Sequence, residues 1–256
     1  MGMTVEKKDD IPSVAMIALR QNSMPAAKDV VQAFKKLWNE ETSEEIEDDS
    51  FFGFNTSEGQ IVCGLMPAPI PWEELEGPCE TSPFWENATK EMRGHKAHLI
   101  VTANPRGENP VNASRLLTKA VAAILKTKCG IGVYWGAGTL VNSSETFLEH
   151  AAQMSAECLP LYLWVDFRVV PDEGDTLTLF TTGMEALGLM EIEMVQAQIE
   201  PEEAVDLVFN FAHYLLENGP VLKDGDSIGM SETQHIQIQH APSLFDVRGN
   251  VYRLTL

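Results

Sequence analysis

What most constrains this chain is the order in which its apolar spacing switches between the two-residue period of a strand and the 3.6-residue period of a helix. "SVAMIALR" (13–20) is a short β-rich run. It is followed by "MPAAKDVVQAFKKLW", with Pro25 at a helix start and Val30, Val31, Phe34, Leu37 and Trp38 on one stripe. "SFFGFN" and "GQIVCGLM", separated by "TSE", read as a hairpin; "SPFWENATKEMR" reads as a helix stopped by Gly94, and "KAHLIVTA" as a buried strand. The order βαββαβ predicts a ferredoxin-like lobe over residues 12–106, with helices on one face of an antiparallel sheet.

Residues 107–256 continue in the same style. "NPVNASRLLTKAVAAILKTKCG" is the clearest helix, with Asn109 as N-cap, Pro110 at the first helical position and Leu116, Leu117, Ala120, Val121, Ile124 and Leu125 apolar. A strand "IGVYWGAG", a helix "SSETFLEHAAQMS" capped at Ser144, and a strand "LPLYLWVDFRVVP" turning at "PDEGD" into "TLTLFTTG" come next. A late helix, "EPEEAVDLVFNFAHYLLENG", precedes final strands "HIQIQHAP" and "NVYRLTL". No Gly/Ser or Pro-rich linker separates the parts and no repeat period appears. The expected fold is α+β, mainly antiparallel or mixed sheets with helices packed on them, the two lobes forming one body.

Two segments between these elements read as surface. "NEETSEEIEDDS" places seven acids in twelve residues with no base, the pattern of a solvated helix end and loop. "PAPIPWEELEGPC", with alternating Pro67, Pro69 and Pro71, reads as a protected sheet edge or surface loop.

Charge narrows the function classes. Against 18 bases stand 38 acids, a formal net charge of −20, which repels phosphate backbones and argues against a nucleic-acid ligand. Cys63, Cys79, Cys129 and Cys158 lie far apart without a CxxC pair, as expected of free thiols in a reducing cytoplasm. The first residues, "MGMTVEKKDDIPSV", have no apolar export core and carry Glu6 where a myristoylation signal wants Ser or Thr. No apolar run reaches membrane-spanning length, so neither export nor a membrane is expected.

Chemistry-bearing residues concentrate in two stretches. Read as one strand, "LYLWVDFRV" puts Tyr162, Trp164, Asp166 and Arg168 on its polar face. "MEIEM" puts Glu191 and Glu193 opposite Met190, Ile192 and Met194, where a cross-strand pair with Arg168 would account for them. The alternative is that Asp166, Glu191 and Glu193 converge on magnesium or manganese as in a metal-dependent hydrolase. "PD" at Pro171 and Asp172 with the later "EIE" approaches a nuclease pattern, but Glu193 stands where that pattern needs lysine. His235 and His240 are five apart and face opposite sides of a strand, His95 and His98 straddle a helix stop and a strand start, and His213 reads as a core or boundary histidine. Gly130, Gly132, Gly136 and Gly138 follow GxGxxxGxG, not a dinucleotide fingerprint, and point to close strand packing. Asp224, Gly225 and Asp226 form a turn without the run of acids a calcium loop requires. No catalytic residue, cofactor or metal is assigned.

"TTGMEALGLMEIEM" (181–194), "GPVLKDGDSIG" and "HAPSLFD" together resemble the bacterial family known as domain of unknown function 4261, over about residues 157–256. The first segment is also similar to the suppressor-of-fused-like families, whose bacterial members are thought to act as immunity proteins. The first family brings no assigned reaction or site residues. The second implies a protein that binds another protein. The expectation is a non-catalytic cytoplasmic binding module, of immunity or sorting type, docking a basic partner through Tyr162, Trp164, Asp166, Glu191 and Glu193. A metal-dependent hydrolase and a structural module without a specific ligand are the other readings. Oligomeric state is not fixed by the residues.

Overall fold

The computed structural model describes residues 13–229, 235–245 and 249–256. The N-terminal stretch read above for targeting, the end of the 221–232 segment and the last residue of "HAPSLFD" lie outside them. In chain order the elements are β1 (Val14–Leu19), α1 (Ala27–Trp38), β2 (Thr42–Asp48), β3 (Phe51–Thr56), β4 (Gly59–Met66), α2 (Trp72–Glu80), α3 (Ala88–Met92), β5 (Ala97–Pro105), α4 (Pro110–Leu125), β6 (Gly130–Trp135) and β7 (Leu140–Ser143). There follow α5 (Ser144–Ala152), α6 (Leu161–Trp164), β8 (Asp166–Pro171), β9 (Leu177–Thr182), β10 (Ile192–Ala197), α7 (Pro201–Asn218), β11 (Ser227–Gly229), β12 (His235–Pro242) and β13 (Asn250–Thr255).

The fold is α+β, with two sheets among the described residues. The first runs β2-β3-β4-β5-β1-β6-β7 with every pair antiparallel; the second runs β11-β12-β13-β10-β9-β8 and is mixed, because β10 and β13 are parallel. This corrects the ferredoxin-like expectation. A split βαβ needs β1 beside β4, whereas here β1 pairs with β5 on one side and β6 on the other. The helices are not on one face either. Val30, Val31 and Phe34 of α1 share a core with α4, while Leu75, Cys79, Ala88 and Met92 of α2 and α3 join Ala18, Ile131 and Val141 in a separate cluster. Strands β6 and β7, from beyond residue 106, complete the first sheet.

Local chemistry explains the elements the sequence disguised. The acidic run is β2, an edge strand whose residues are mostly exposed, and its charges block pairing with another chain. The proline-rich stretch carries α2, with Pro71 at its N-cap; Pro78 sits inside it. Ser143, not Ser144, caps α5, accepting from the Thr146 N–H at 3.0 Å. Asn109 caps α4 as its sequence predicts, accepting from Val111 N–H.

Helix α4 is the axis of the body. Leu116 through Leu125 are all buried, and the one cation among them, Lys119, reaches Glu40 and, at 2.7 Å, Glu58 while lying near the Trp38 ring. From the second sheet, Leu179, Ile192, Met194 and Leu254 meet Leu207, Val208 and Phe211 of α7 in the same continuous core. The glycines of "GIGVYWGAG" mark close packing: a Cβ on Gly132 would stand 2.5 Å from the Trp85 ring and one on Gly138 2.6 Å from the Trp164 carbonyl.

Candidate functional site

Residues 161–169 do not form one strand. Val165 N–H donates to Leu161 C=O, closing the helical turn α6, and only at Asp166 does β8 begin. Tyr162, Trp164 and Asp166 therefore do not share a strand face. Trp164 is 1% exposed and donates from Nε1 to Thr118 Oγ1 at 2.8 Å, pinning the turn to α4. It is a core anchor, not a surface one.

The two glutamates are also inside. Glu191, 4% exposed, lies before β10 and accepts from Thr181 Oγ1 at 2.7 Å, Gly183 N–H at 2.8 Å and Glu185 N–H at 3.1 Å. It serves as the acceptor that a strained turn needs, since Gly183 has φ +121° and its N–H points inward. Glu193, 1% exposed, accepts from Arg253, from Ser243 Oγ at 2.5 Å and from Leu244 N–H at 3.1 Å. The expected partner Arg168 instead donates to Asp166, at 2.5 Å and 3.1 Å. Asp166, Glu191 and Glu193 are thus held by three different sets of partners, and no group of metal-ligating residues is found among the described residues.

Tyr162 and Asp166 do meet, in a groove of about 540 Å³ where the free edge of the first sheet, β7, approaches the free edge of the second, β8. Leu140, Val141 and Asn142 form one wall, Val165 to Phe167 and Val169 another, and Pro201, Glu202, Val205 and Asp206 of α7 a third; Pro83 and Phe84 overhang it. Tyr162 stacks on Phe209 at 4.6 Å and meets Phe84 and Phe167 edge-on at 5.2 Å and 5.7 Å. Phe84 remains exposed.

The electrostatics of the groove are one-sided. Its lining holds three carboxylates and no lysine or arginine. Burial raises the Asp166 pKa, and the neighbouring Arg168 draws it back down. Burial and then the charge of Asp206 raise the Tyr162 phenol, which keeps it a neutral donor. Glu202 and Asp206 are exposed and have no salt-bridge partner among the described residues. Asn142 is 2% exposed, and its Nδ2 finds no hydrogen-bond partner among the described residues.

Sequence reasoning missed Asn142, Glu202, Asp206 and Phe84. The i, i+4 spacing of Glu202 and Asp206 on α7 was a readable signal; Asn142, followed by Ser143 and Ser144, gave none.

His95, His98, His213 and the 224–226 turn make structural contacts. His95 Nδ1 meets Met92 C=O and its Nε2 accepts from Ile70 N–H at 2.7 Å; His98 Nδ1 contacts Ala68 C=O, and His213 packs on Phe209 at 4.8 Å. Asp224 accepts from His240 N–H and Asp226 from Lys223 N–H. No helix of the described residues is long and apolar enough to cross a membrane.

No curated protein and no solved structure matches the chain. Residues 180–255, which hold Glu191, Glu193 and Arg253, match the family "Domain of unknown function (DUF4261)".

Proposed function

We propose that the protein is a non-catalytic binding module that docks a basic segment of another protein in the groove between β7 and β8. The observation that carries this reading is the lining: exposed and half-buried aromatics, the carboxylate of Asp166 paired with Arg168, and those of Glu202 and Asp206 with no salt-bridge partner among the described residues. On a chain of net charge −20, such a groove steers and holds a cationic partner and disfavours phosphate-bearing ones. The docking residues are then Tyr162, Asp166, Glu202, Asp206 and Phe84. Trp164 and Glu191 hold the α6 turn and the Gly183 turn from within, and Glu193 ties β10 to β13 and to Ser243.

An immunity-type role, in which the partner is a basic toxin enzyme, suits this charge pattern, and the free state of Cys63, Cys79, Cys129 and Cys158 suits a reducing cytoplasm. The test is capture from the native host at low salt, comparing the wild type with the double charge reversal Glu202→Lys and Asp206→Lys. Expected is a basic protein, released by salt, that the double variant fails to hold although it stays folded, with only the small loss in melting temperature that a cation in the first turn of α7 brings. Equal capture by both proteins removes the groove from the reading.

A further inference from the structure

Two features of the groove ask for more than positive charge. The first is Asn142. Its side chain lies on β7, which lines the groove, with Nδ2 buried and without an acceptor among the described residues. Buried amide donors are almost always satisfied, and the acceptor missing from the protein can arrive through the groove. A bare ammonium or guanidinium cannot serve, because neither accepts hydrogen bonds.

The second feature is the geometry of the negative wall. Glu202 and Asp206 stand one helical turn apart on α7, and neighbours at that spacing lie about 5–6 Å apart. Phe84 overhangs the same space with an exposed ring, braced edge-on by Tyr162. A flat cation with several in-plane donors satisfies two carboxylates and a ring face together. A compact ammonium meets one or the other.

We infer that the groove takes an arginine of the partner, its guanidinium lying against Phe84 and donating to Glu202 and Asp206 while the main-chain carbonyl of the same residue accepts from Asn142 Nδ2. This rests on the docking reading above and names the residue that anchors it. Arginine combines the planar donor fork and a carbonyl acceptor in one residue, so a single side chain and its own peptide unit answer both walls. Cation–π contact with Phe84 adds to the ion pairs and is stronger where the groove excludes water.

The probe is the acetylated, amidated pentapeptide Gly-Gly-Arg-Gly-Gly, compared with the same peptide carrying lysine or the neutral isostere citrulline, titrated calorimetrically at low salt. The arginine peptide is expected to bind at least tenfold tighter than the citrulline peptide and about threefold tighter than the lysine peptide. Glu202→Gln and Asp206→Asn, both at exposed positions, each lower its affinity several-fold, with the loss shrinking at high salt. Asn142→Leu lowers it about fivefold without lowering the melting temperature, because an unpaired polar group is replaced by an apolar one of similar shape.

Equal binding of arginine and lysine peptides overturns the arginine assignment and leaves the docking reading standing. Failure of every cationic peptide to bind overturns both. Unchanged affinity in Asn142→Leu removes the carbonyl contact, and a dimer of the free protein that the arginine peptide dissociates assigns the groove to a second copy of this chain instead.

Discussion

Glu193 and Arg253 stand opposite each other on the parallel strands β10 and β13, with Oε2 and Nη2 2.8 Å apart and the glutamate 1% exposed. A carboxylate this deep is tolerated because Ser243, Leu244 and Arg253 together saturate it. Replacing Arg253 by leucine strands the charge and should cost about 3 kcal/mol in urea denaturation. The double variant Glu193→Leu with Arg253→Leu should recover part of that loss. A double variant less stable than the single one would mean that the pair contributes net stability beyond satisfying itself.

Glu191 closes the turn between β9 and β10 through three donors. Glu191→Ala leaves buried N–H groups without acceptors, at roughly 1–3 kcal/mol. Gly183→Ala should cost at least as much, because its φ of +121° is closed to side chains and a Cβ would stand 2.5 Å from the Trp164 carbonyl. Thermal melts of both variants check this, and a Gly183→Ala protein as stable as wild type would refute the turn geometry.

Gly132→Ala should destabilise the junction of β6 with the α2–α3 layer, since the added methyl collides with the rigid Trp85 ring at 2.5 Å. Overpacking of this kind costs about 1–3 kcal/mol. The companion variant Trp85→Leu makes room, so combining the two should cost less than the sum of the single changes, a result that a double-mutant cycle reads directly.

His98, His150 and His213 are each pushed by burial below the ordinary histidine value. Each binds fewer protons folded than unfolded. Their contribution to stability is therefore full above about pH 6.5 and is lost as the pH falls through their lowered values. Asp166, whose pKa burial raises, works in the opposite sense and only in the carboxylate range. Melting temperature should be level between about pH 7 and 8 and decline below about 6.5. The decline should be shallower in a protein carrying His150→Gln and His213→Gln; an identical slope in that variant would locate the effect elsewhere.

Legibility in the sequence followed the physics of each segment. Helix α4 announced its start through Asn109 and Pro110 and its length through its apolar run, and the β3–β4 hairpin was set by two β-rich runs with a short turn. The order of elements did not determine pairing, because β1 could accept β5 and β6 as readily as β4, and only the packed layers decide. "LYLW" satisfied strand alternation and helix equally, being too short for period to arbitrate. For the same reason the polar face drawn through Tyr162, Trp164 and Asp166 broke apart, and Tyr162 and Asp166 alone reached the groove. The burial of Glu193 was invisible because its partners, Ser243 and Arg253, come from a distant segment, and that of Glu191 because strand alternation says nothing of the inward-turned Gly183 N–H a few residues before it.

Both neighbours of β1 are made late. The strand emerges from a ribosome tens of residues ahead of β5, and its other flank stays bare until β6 follows α4. Ala15, Ile17, Ala18 and Leu19 are almost wholly enclosed in the finished sheet. A nascent chain stalled or cleaved after residue 106 therefore shows an apolar strand edge to its surroundings, the template on which unfinished chains stick to one another. The protein matures by closing backwards onto its own beginning, and its first hundred residues depend on translation continuing through β6.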